Sequence, residues 1–314
     1  PRAIRALSEI RDPEPRTLQR EPGYVVSMVP KVTAIHIYPV KSCGAVALDR
    51  IEVSRTGLRG DRLFQVVDAE GNPVTQRQEP VLATVRPSFT DGGLTLDADD
   101  RPGLTVAIPT SNNTTVNSLL GVPVKAGDAG DDAARWFSDL LGVPVRLVAM
   151  TNDSDCRLPI PGVDMPLSWA DAASVLVANS ASLEWLNERV DEPFGMDRFR
   201  PNLTVDAGEA WIEDTWRDFS IGGARLGLGL AWPRCSIPQV DQVDGSRHKE
   251  PAKVLKQHRW CTDAAAAGDA LRPLFEGNAL FGIGCSVHPT DAVITVGDEV
   301  DVHEVGTPII PAPD

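Results

Sequence analysis

The sequence predicts a β-rich α+β fold, a barrel or a sandwich, and three observations support this. Short runs of β-branched and aromatic residues recur along the chain, separated by turn residues at intervals of about 8–12 positions. Segments with the period of an amphipathic helix are few. The chain has 314 residues, of which 42% are hydrophobic, enough for one large domain or two moderate ones.

Strands are predicted from Val32 onward, after a segment over 1–28 that is rich in Arg, Glu and Pro and is predicted to be a mobile tail. The predicted strands are Val32–Val40, Val46–Ser54, Arg62–Ala69, Ser88–Ala98, Leu104–Ile108, Thr115–Val124, Val175–Ala178, Asn202–Val205, Phe219–Leu230 and Ala292–Val302. Asp91-Gly92-Gly93 inside the fourth run is a hairpin signal. Gly227-Leu228-Gly229 indicates a bulge or a close backbone approach.

Helices are predicted at Asp131–Leu141, at Ser180–Val190 with Asn179 or Ser180 as its cap, and over a short segment at Ala264–Leu274. The polar, proline-rich segment Thr151–Pro166 indicates a domain boundary. We therefore expect one domain over 29–155, a second over 160–305, and a C-terminal tail over 306–314.

Charge and cysteine content exclude several classes of protein. With 30 basic and 44 acidic residues, the formal charge is −14, which disfavours a nucleic-acid partner or an anionic membrane surface. No apolar run approaches the roughly 20 residues of a membrane helix, and no signal-peptide pattern is evident. The five cysteines are odd in number and have no CxxC spacing, so we expect neither a disulfide scaffold nor a zinc ribbon. A cytoplasmic protein is the natural expectation.

Basic residues at strand ends are the first candidates for chemistry. Lys41 and Ser42 follow the first predicted strand, where a charge and a hydroxyl can hold a phosphate, although an ordinary surface turn is the alternative. Arg62 can be aimed at an anion or can form a surface ion pair. Arg198 and Arg200 flank an aromatic residue and suit a bidentate grip on phosphate, with a structural salt bridge as the alternative.

Cys235 is the candidate metal ligand. It follows Arg234 at the end of an apolar strand, and a cation beside a cysteine favours the thiolate, a soft ligand for transition metals. A buried packing cysteine is the alternative, because free cysteines are among the most buried residue types.

Several segments together resemble the MOSC family. Residues 32–68 and the segment VTQRQEP (74–80) resemble the N-terminal β-barrel module that precedes MOSC domains. DRFRPNLTVD (197–206), PRCSIPQVDQVDG (233–245), KEPAKVLKQHR (249–259) and the region from Leu280 to Val300 resemble the MOSC domain itself. The resemblance is greatest to the mitochondrial amidoxime-reducing components and their bacterial counterparts, and it implies an N-terminal β-barrel-like module packed on a MOSC β-barrel domain.

The resemblance also implies a molybdenum cofactor, a molybdenum-bearing molybdopterin held between the two modules. In the family pattern Cys235 is the molybdenum ligand, and Asp171 joins it as a catalytic residue. The cofactor-binding residues implied by the matched motifs are Lys41, Ser42, Arg62, Arg200, Asn202 and Arg234. Pro233 stands where mammalian relatives have a polar residue, so the substrate is expected to differ.

The implied activity is a molybdenum-dependent reductase of the amidoxime- and hydroxylamine-reducing type, acting on small N-hydroxylated or N-oxide compounds. The chain has no ferredoxin-like cysteine cluster, so a separate electron-donor protein of the ferredoxin, flavin or haem type is expected. Three alternatives stay open: a carrier of molybdenum cofactor or sulfur, a specialised biosynthetic enzyme for an N–O or N–N metabolite, and a structural protein that has lost the cofactor.

Overall fold

The computed structural model describes residues 28–91, 93–160, 164–269, 271–288 and 291–313. The tail predicted over 1–28 therefore lies outside the described residues, apart from Met28. The strands are β1 Lys31–Ile37, β2 Val46–Leu48, β3 Arg50–Ser54, β4 Gly57–Leu58, β5 Phe64–Val67, β6 Arg86–Thr90, β7 Gly93–Ala98, β8 Arg101–Val106, β9 Thr114–Asn117, β10 Pro123–Asp128, β11 Arg146–Ala149, β12 Val175–Asn179, β13 Leu203–Asp206, β14 Trp216–Ile221, β15 Ala224–Arg234, β16 Ala279–Val287, β17 Val293–Thr295 and β18 Val300–Val305. The α-helices are α1 Asp131–Leu141, α2 Ser180–Asn187, α3 Glu250–His258 and α4 Arg272–Phe275.

A curved sheet with strand order β18-β14-β15-β16-β12-β13-β1-β2 forms the larger half of the molecule. An antiparallel bridge between Lys31 and Glu299 joins β1 to the start of β18 and closes the curve into a barrel. β12 and β13 are parallel, because the chain crosses between them through α2. Every other strand pair in this sheet is antiparallel.

The first strand of the chain belongs to this barrel. β1 pairs with β13 on one side and β2 on the other, and a bulge between Val32 and Ala34 lets both Val32 and Ile35 face the core. β17 likewise returns to pair with β3. The two halves of the chain therefore exchange strands, which fixes their relative position.

The smaller half contains a sheet β5-β11-β10-β9, a sheet β6-β7-β8 and helix α1. Its core is built from the inward faces of these strands and from Phe137 of α1. We call this half the first module and the closed sheet the barrel. The β-rich α+β fold expected from the sequence is confirmed.

Helix α1 has the bounds that the sequence predicts, with two acidic residues in its first turn and Gly142 in the left-handed conformation after its end. Helix α2 is capped by the side chain of Asn179, as predicted, but ends at Asn187 rather than Val190. The single helix predicted over Ala264–Leu274 is wrong. A 3-10 turn at Ala265–Ala267 and helix α4 replace it, separated at Gly268, whose φ is +78°.

Three predicted strands were each two strands: Thr115–Val124, Phe219–Leu230 and Ala292–Val302. Glycines with positive φ lie in the turns of all three, at Gly121, at Gly222 and Gly223, and at Gly297. Val46–Ser54 also divides at Asp49, because β2 and β3 enter different sheets. Strand β11, strand β16 and helix α3 were not predicted.

The glycine-rich bulge in β15 is confirmed. The register of β15 against β16 shifts between Gly227 and Leu230, and a Cβ on Gly229 would lie 2.1 Å from the carbonyl oxygen of Trp216. The segment 306–313 forms neither helix nor strand, but Ile309 and Ile310 are buried against the barrel and Arg259 donates to the Pro311 carbonyl at 3.3 Å. Among the described residues, no helix has the length and apolar character needed to span a bilayer.

Candidate functional site

The segment that leaves β1 runs beside the start of β5. Val40 and Phe64 form a parallel bridge, the Lys41 amide donates to the Phe64 carbonyl at 2.8 Å, and the Arg62 amide donates to the Tyr38 carbonyl at 2.9 Å. Pro39 has no amide proton, so β1 cannot continue its ladder there and the chain turns into the first module. Lys41 and Arg62 are thereby placed side by side where the first module meets the barrel.

Two arginines share the ring of Tyr38. The guanidinium carbon of Arg62 lies 4.3 Å from the ring centroid and that of Arg200 lies 4.1 Å away. The Tyr38 hydroxyl donates to the Pro201 carbonyl at 3.0 Å. Burial raises the pKa of Tyr38 to about 12 although both arginines oppose the shift, and burial lowers the pKa of Arg200 to about 10. The buried ring is therefore the platform on which the two cations converge.

Arg62 is held by the protein on one edge of its guanidinium. Its NH1 contacts Asp61 at 2.5 Å and donates to Asn202 Oδ1 at 3.0 Å, while NH2 donates to the Arg200 carbonyl at 3.2 Å. Asn202 is 1% exposed and also accepts from the Leu176 amide and donates to the His36 carbonyl. The structure therefore places Asn202 behind Arg62, as a buried link between β1, β12 and Arg62.

Asp171 lies between two cations. It accepts from Lys41 Nζ and, at 2.9 Å, from Arg77 NH2. The Lys41 side chain is only 6% exposed and also donates to the Trp169 carbonyl at 2.6 Å. Burial acts to raise the pKa of Asp171, but Lys41 and Arg77 outweigh it and hold that pKa well below its usual range. Burial lowers the pKa of Lys41, with Asp171 opposing the shift.

Cys235 follows the last residue of β15 and is exposed, whereas the other four cysteines are buried. The Arg77 guanidinium lies close enough to the Cys235 thiol for the two groups to interact electrostatically. Burial acts to lower the pKa of Arg77, but Asp171 and Cys235 outweigh it and raise that pKa. Arg77 of the first module therefore donates to Asp171 of the connecting segment and also lies near Cys235 of the barrel.

Arg234, which precedes the thiol-bearing residue, is half-buried. Its NH2 donates to the Phe199 carbonyl at 2.7 Å, and its Nε is buried without a hydrogen-bond partner among the described residues. Burial lowers the pKa of Arg234, while Cys235 and Asp171 oppose the shift. A buried donor without a partner is costly, so this guanidinium is suited to an additional acceptor.

The loop after Cys235 forms hydrogen bonds with Arg200 and with the segment that carries Arg77. Gln242 Oε1 accepts from Arg200 NH1 at 2.8 Å and from Gln76 Nε2 at 3.0 Å, and Gln76 also donates to the Ser42 carbonyl at 2.8 Å. Arg247 donates to the Arg77 carbonyl at 2.8 Å, which fixes the loop that carries Arg77.

The sequence did not single out Gln76, Arg77 or Gln242. All three lie inside the segments VTQRQEP and PRCSIPQVDQVDG, which were noted only as motifs. No local pattern indicates that Arg77 lies near a thiol more than 150 positions away in the sequence.

The backbone is strained at three of the predicted residues. In the part of the chain that the structure describes, five non-glycine residues have positive φ, and three of them are Ser42 (68°), Arg62 (46°) and Arg200 (55°). Such conformations cost on the order of 1–3 kcal/mol each and concentrate at functional sites.

The structure thus brings together the eight residues expected from the sequence, namely Lys41, Ser42, Arg62, Asp171, Arg200, Asn202, Arg234 and Cys235, along with Arg77. The cations outnumber the carboxylates Asp61 and Asp171, so the cluster has a positive surplus in an acidic chain. Such a cluster can bind an anion and present one accessible thiol beside it. No group of three or more His, Cys, Asp or Glu side chains is placed to hold a metal ion within the described ranges.

A cavity of about 630 Å³ on the first module lies elsewhere. It is lined by α1 and the neighbouring strands, including Asp68, Asp128 and Asp131, and by none of the eight expected residues. Its acidic lining is unsuited to an anionic cofactor.

Comparison with known proteins gives matches along most of the chain. The model of the MOSC N-terminal beta barrel domain matches residues 29–144, and that of the MOSC domain matches residues 164–301. The chain is similar to mitochondrial amidoxime reducing component 2 of Macaca fascicularis, with 33% identity over 288 residues that cover 88% of this chain and 84% of that protein. It is also similar to mitochondrial amidoxime-reducing component 1 of Homo sapiens, with 32% identity over 289 residues, 88% of this chain and 84% of that protein. The crystal structure of YiiM from Geobacillus stearothermophilus aligns with 41% of this chain and with 54% of the YiiM chain, at 18% identity. Its TM-score of 0.27 is too low to bear on the fold.

Proposed function

Since the chain belongs to the MOSC family, which includes the mitochondrial amidoxime reducing components, we propose that it is a molybdenum-cofactor-dependent reductase of N-hydroxylated or N-oxide compounds. The reaction would be R–NHOH + 2 e⁻ + 2 H⁺ → R–NH₂ + H₂O, with the electrons coming from a separate donor protein. The observation that carries this proposal is the exposed thiol of Cys235 at the edge of the convergent cations.

The donor set fits a pterin dithiolene cofactor with a terminal phosphate. A phosphate needs positive charge and hydrogen-bond donors, and Arg62 and Arg200 offer both from the Tyr38 platform. The partnerless buried Nε of Arg234 supports an acceptor beside Cys235. A single thiolate completes a sulfur-rich site for a metal that arrives with its own sulfur ligands, so three protein ligands are not needed.

When bound, the cofactor would supply the two-electron couple, and the protein would supply position and charge. Cys235 would be the protein ligand to the metal. Lys41, Ser42, Arg62 and Arg200 would hold the anionic part of the cofactor, with Asn202 keeping Arg62 in place. Asp171 would hold the Lys41 and Arg77 cations in place, which makes it a positioning residue in this arrangement.

The test compares Cys235→Ala with Cys285→Ala as the matched control. Both remove one thiol, but Cys285 is fully buried in the barrel core and does not belong to the site. Protein from a cofactor-competent host is assayed for molybdenum by mass spectrometry and for turnover of an amidoxime, a hydroxylamine and an N-oxide with reduced viologen. We expect Cys235→Ala to lose turnover with its thermal stability unchanged, because its thiol is exposed. Cys285→Ala should keep its turnover per molybdenum and lose about 1 kcal/mol of stability.

The same assay separates an enzyme from a carrier. A carrier would bind cofactor and release it to a cofactor-free acceptor enzyme, with no sustained turnover. Molybdenum-loaded wild-type protein that is inactive toward all three substrate classes would replace the reductase proposal by the carrier. Full activity in Cys235→Ala would remove the assignment of this thiol as the metal ligand.

A further inference from the structure

Helix α3 carries a stripe of basic residues. Lys249, Lys253 and Lys256 are spaced at i, i+4 and i+7, and Trp260 follows at i+11 just after the helix. At about 100° per residue these positions lie on one face. All three lysines are exposed and Trp260 is 42% exposed, whereas Pro251, Val254 and Leu255 are buried on the opposite face.

The helix that carries the stripe lies close to Cys235 in the fold. Helix α3 packs on the 3-10 turn Ile237–Gln239, which begins two residues after Cys235, and the His248 amide donates to the Gln239 carbonyl at 2.7 Å. At the other end of the stripe, Trp260 and Arg234 both pair with Ala279 of β16, one on each side. Two strand spacings of about 4.8 Å place the Trp260 backbone roughly 10 Å from that of Arg234.

The charge of the stripe opposes that of the chain. The formal charge is −14, so most of the surface repels an acidic protein. Within the described residues Lys249 and Lys256 make no ion pair, and Lys253 is 3.3 Å from Glu250. Lys256 lies 5.6 Å from the Trp260 ring, so the aromatic side chain is part of the same surface.

The neighbouring residue Arg247 is also exposed, and its guanidinium binds the carbonyl of Arg77. The basic surface therefore extends to the loop that carries Arg77, which lies near Cys235. Asp244, Glu250 and Asp263 are the acidic residues nearest to it in sequence, and Asp263 pairs with Arg272. The four basic residues Arg247, Lys249, Lys253 and Lys256 outnumber these three carboxylates, so the surface keeps a net positive charge.

We propose that the face formed by Lys249, Lys253, Lys256 and Trp260 is the docking surface for an acidic electron-donor protein. This inference rests on the proposed function, because a two-electron reduction of substrate at the site beside Cys235 needs an electron donor nearby. Each substrate molecule consumes two electrons and two protons, so a one-electron carrier is oxidised in two successive docking events. The lysines steer the acidic partner and the tryptophan supplies the buried contact.

The test reverses the charge of the stripe and of a distant control set. One variant carries Lys249→Glu, Lys253→Glu and Lys256→Glu, and the control carries Lys31→Glu, Arg86→Glu and Lys125→Glu. All six residues are exposed, and both variants change the net charge by the same amount. The probes are reduced plant-type [2Fe–2S] ferredoxin and reduced flavodoxin, both acidic carriers, with reduced viologen as a donor that needs no docking.

We expect kcat/KM for the protein donor to fall by about 10- to 100-fold in the stripe variant at low ionic strength, and the difference to shrink as salt is added. Turnover with viologen should be the same in wild type and both variants. Trp260→Ala should raise KM for the protein donor with little change in salt dependence, because it removes contact and not charge. Equal losses in the stripe and control variants would overturn the proposal.

Direct binding of the oxidised donors to each variant, measured by calorimetry, keeps the two proposals separable. If viologen drives no turnover, the proposed function fails, and the docking surface is still judged by whether ferredoxin or flavodoxin binding is lost in the stripe variant alone. Failure of the wild type to bind either carrier would overturn the docking surface. So would tighter binding of the wild type to phosphatidylserine vesicles than to either carrier, since the stripe would then be a membrane contact.

Discussion

Replacing Asp171 by asparagine tests the electrostatic centre of the site without changing its shape. The carboxylate separates Lys41 from Arg77, and the Lys41 side chain is 6% exposed. The amide of the variant could still accept one hydrogen bond, but it would leave the buried ammonium without a counter-charge. Removing one partner of a buried ion pair costs about 3–5 kcal/mol.

The expected loss is smaller than that for a fully buried pair. The Asp171 side chain is 41% exposed, so water screens part of the interaction, and the amide keeps part of the hydrogen bonding. We expect the free energy of unfolding at pH 7 to fall by about 2 kcal/mol, which corresponds to a decrease in Tm of about 4–8 °C. Asp99→Asn is the control, because the Arg86–Asp99 pair is 56% and 87% exposed and should contribute less than about 1 kcal/mol.

The difference between wild type and Asp171→Asn should depend on pH with a definite sign. The pKa of Asp171 is held below its usual range in the folded protein, because Lys41 and Arg77 outweigh the effect of burial. The stabilisation is therefore present above the pKa of an unfolded aspartate, about 3.9, and is lost as the pH falls toward the folded value. Thermal melts from pH 7 down to about pH 3 should converge for the two proteins. Melting curves that stay parallel over this range, or an unchanged Tm at pH 7, would refute the ion-pair reasoning.

Two further predictions concern the barrel. Glu213 is fully buried, and burial together with the neighbouring Asp214 raises its pKa to about 7. Its contribution to the free energy of unfolding is therefore greatest below about pH 4.5 and is lost as the pH rises through 7. In Glu213→Gln, the change in the free energy of unfolding between pH 4.5 and 7 should be smaller than in the wild type by up to about 3 kcal/mol. Thermal melts at a series of pH values measure this, and the same slope of Tm against pH in both proteins would contradict the prediction. Gly229→Ala should destabilise the barrel by more than about 2 kcal/mol, because its Cβ would lie 2.1 Å from a carbonyl oxygen that belongs to the backbone. Gly223→Ala is the comparison, since nothing lies within 4 Å of its Cβ and only its positive φ adds cost; equal Tm values for the two would contradict the steric argument.

The elements that the sequence predicted best are those whose signals are local. Helix α1 has acidic residues at its start and Gly142 after its end, and both act within one turn of the helix. The Asn179 cap and the bulge at Gly227–Gly229 are local signals as well. Each could be derived from a few adjacent residues without knowing what packs on them.

The predictions failed where the partner strand decides the structure. Strand β16 is buried along most of its length and therefore lacks the alternation that identifies a half-exposed strand. Val46–Ser54 has a continuous β pattern, yet β2 pairs with β1 while β3 pairs with β17 from the far end of the chain. No local window contains that information.

For the candidate site, the motif order indicated which residues belong together, but not how they are held. The sharing of the Tyr38 ring by Arg62 and Arg200 depends on contacts across about 160 positions. Arg77 lies in a short polar segment with no feature that distinguishes it from a surface arginine. Its hydrogen bond with Asp171 and its proximity to Cys235 arise only when the first module and the barrel are joined.

The strained backbone gives an argument about function that is independent of family resemblance. Ser42, Arg62 and Arg200 all have positive φ, a conformation in which glycine would relieve on the order of 1 kcal/mol or more at each position. The internal contacts of Arg200 do not account for an arginine at this position, because it uses one side-chain donor on Gln242 and is otherwise buried at a cost to its charge. The buried guanidinium of Arg200 stands on a strained backbone and shares the Tyr38 ring with Arg62. Folding alone does not require this concentration of positive charge. The anionic cofactor proposed to bind beside Cys235 would supply the compensation that the protein itself does not provide.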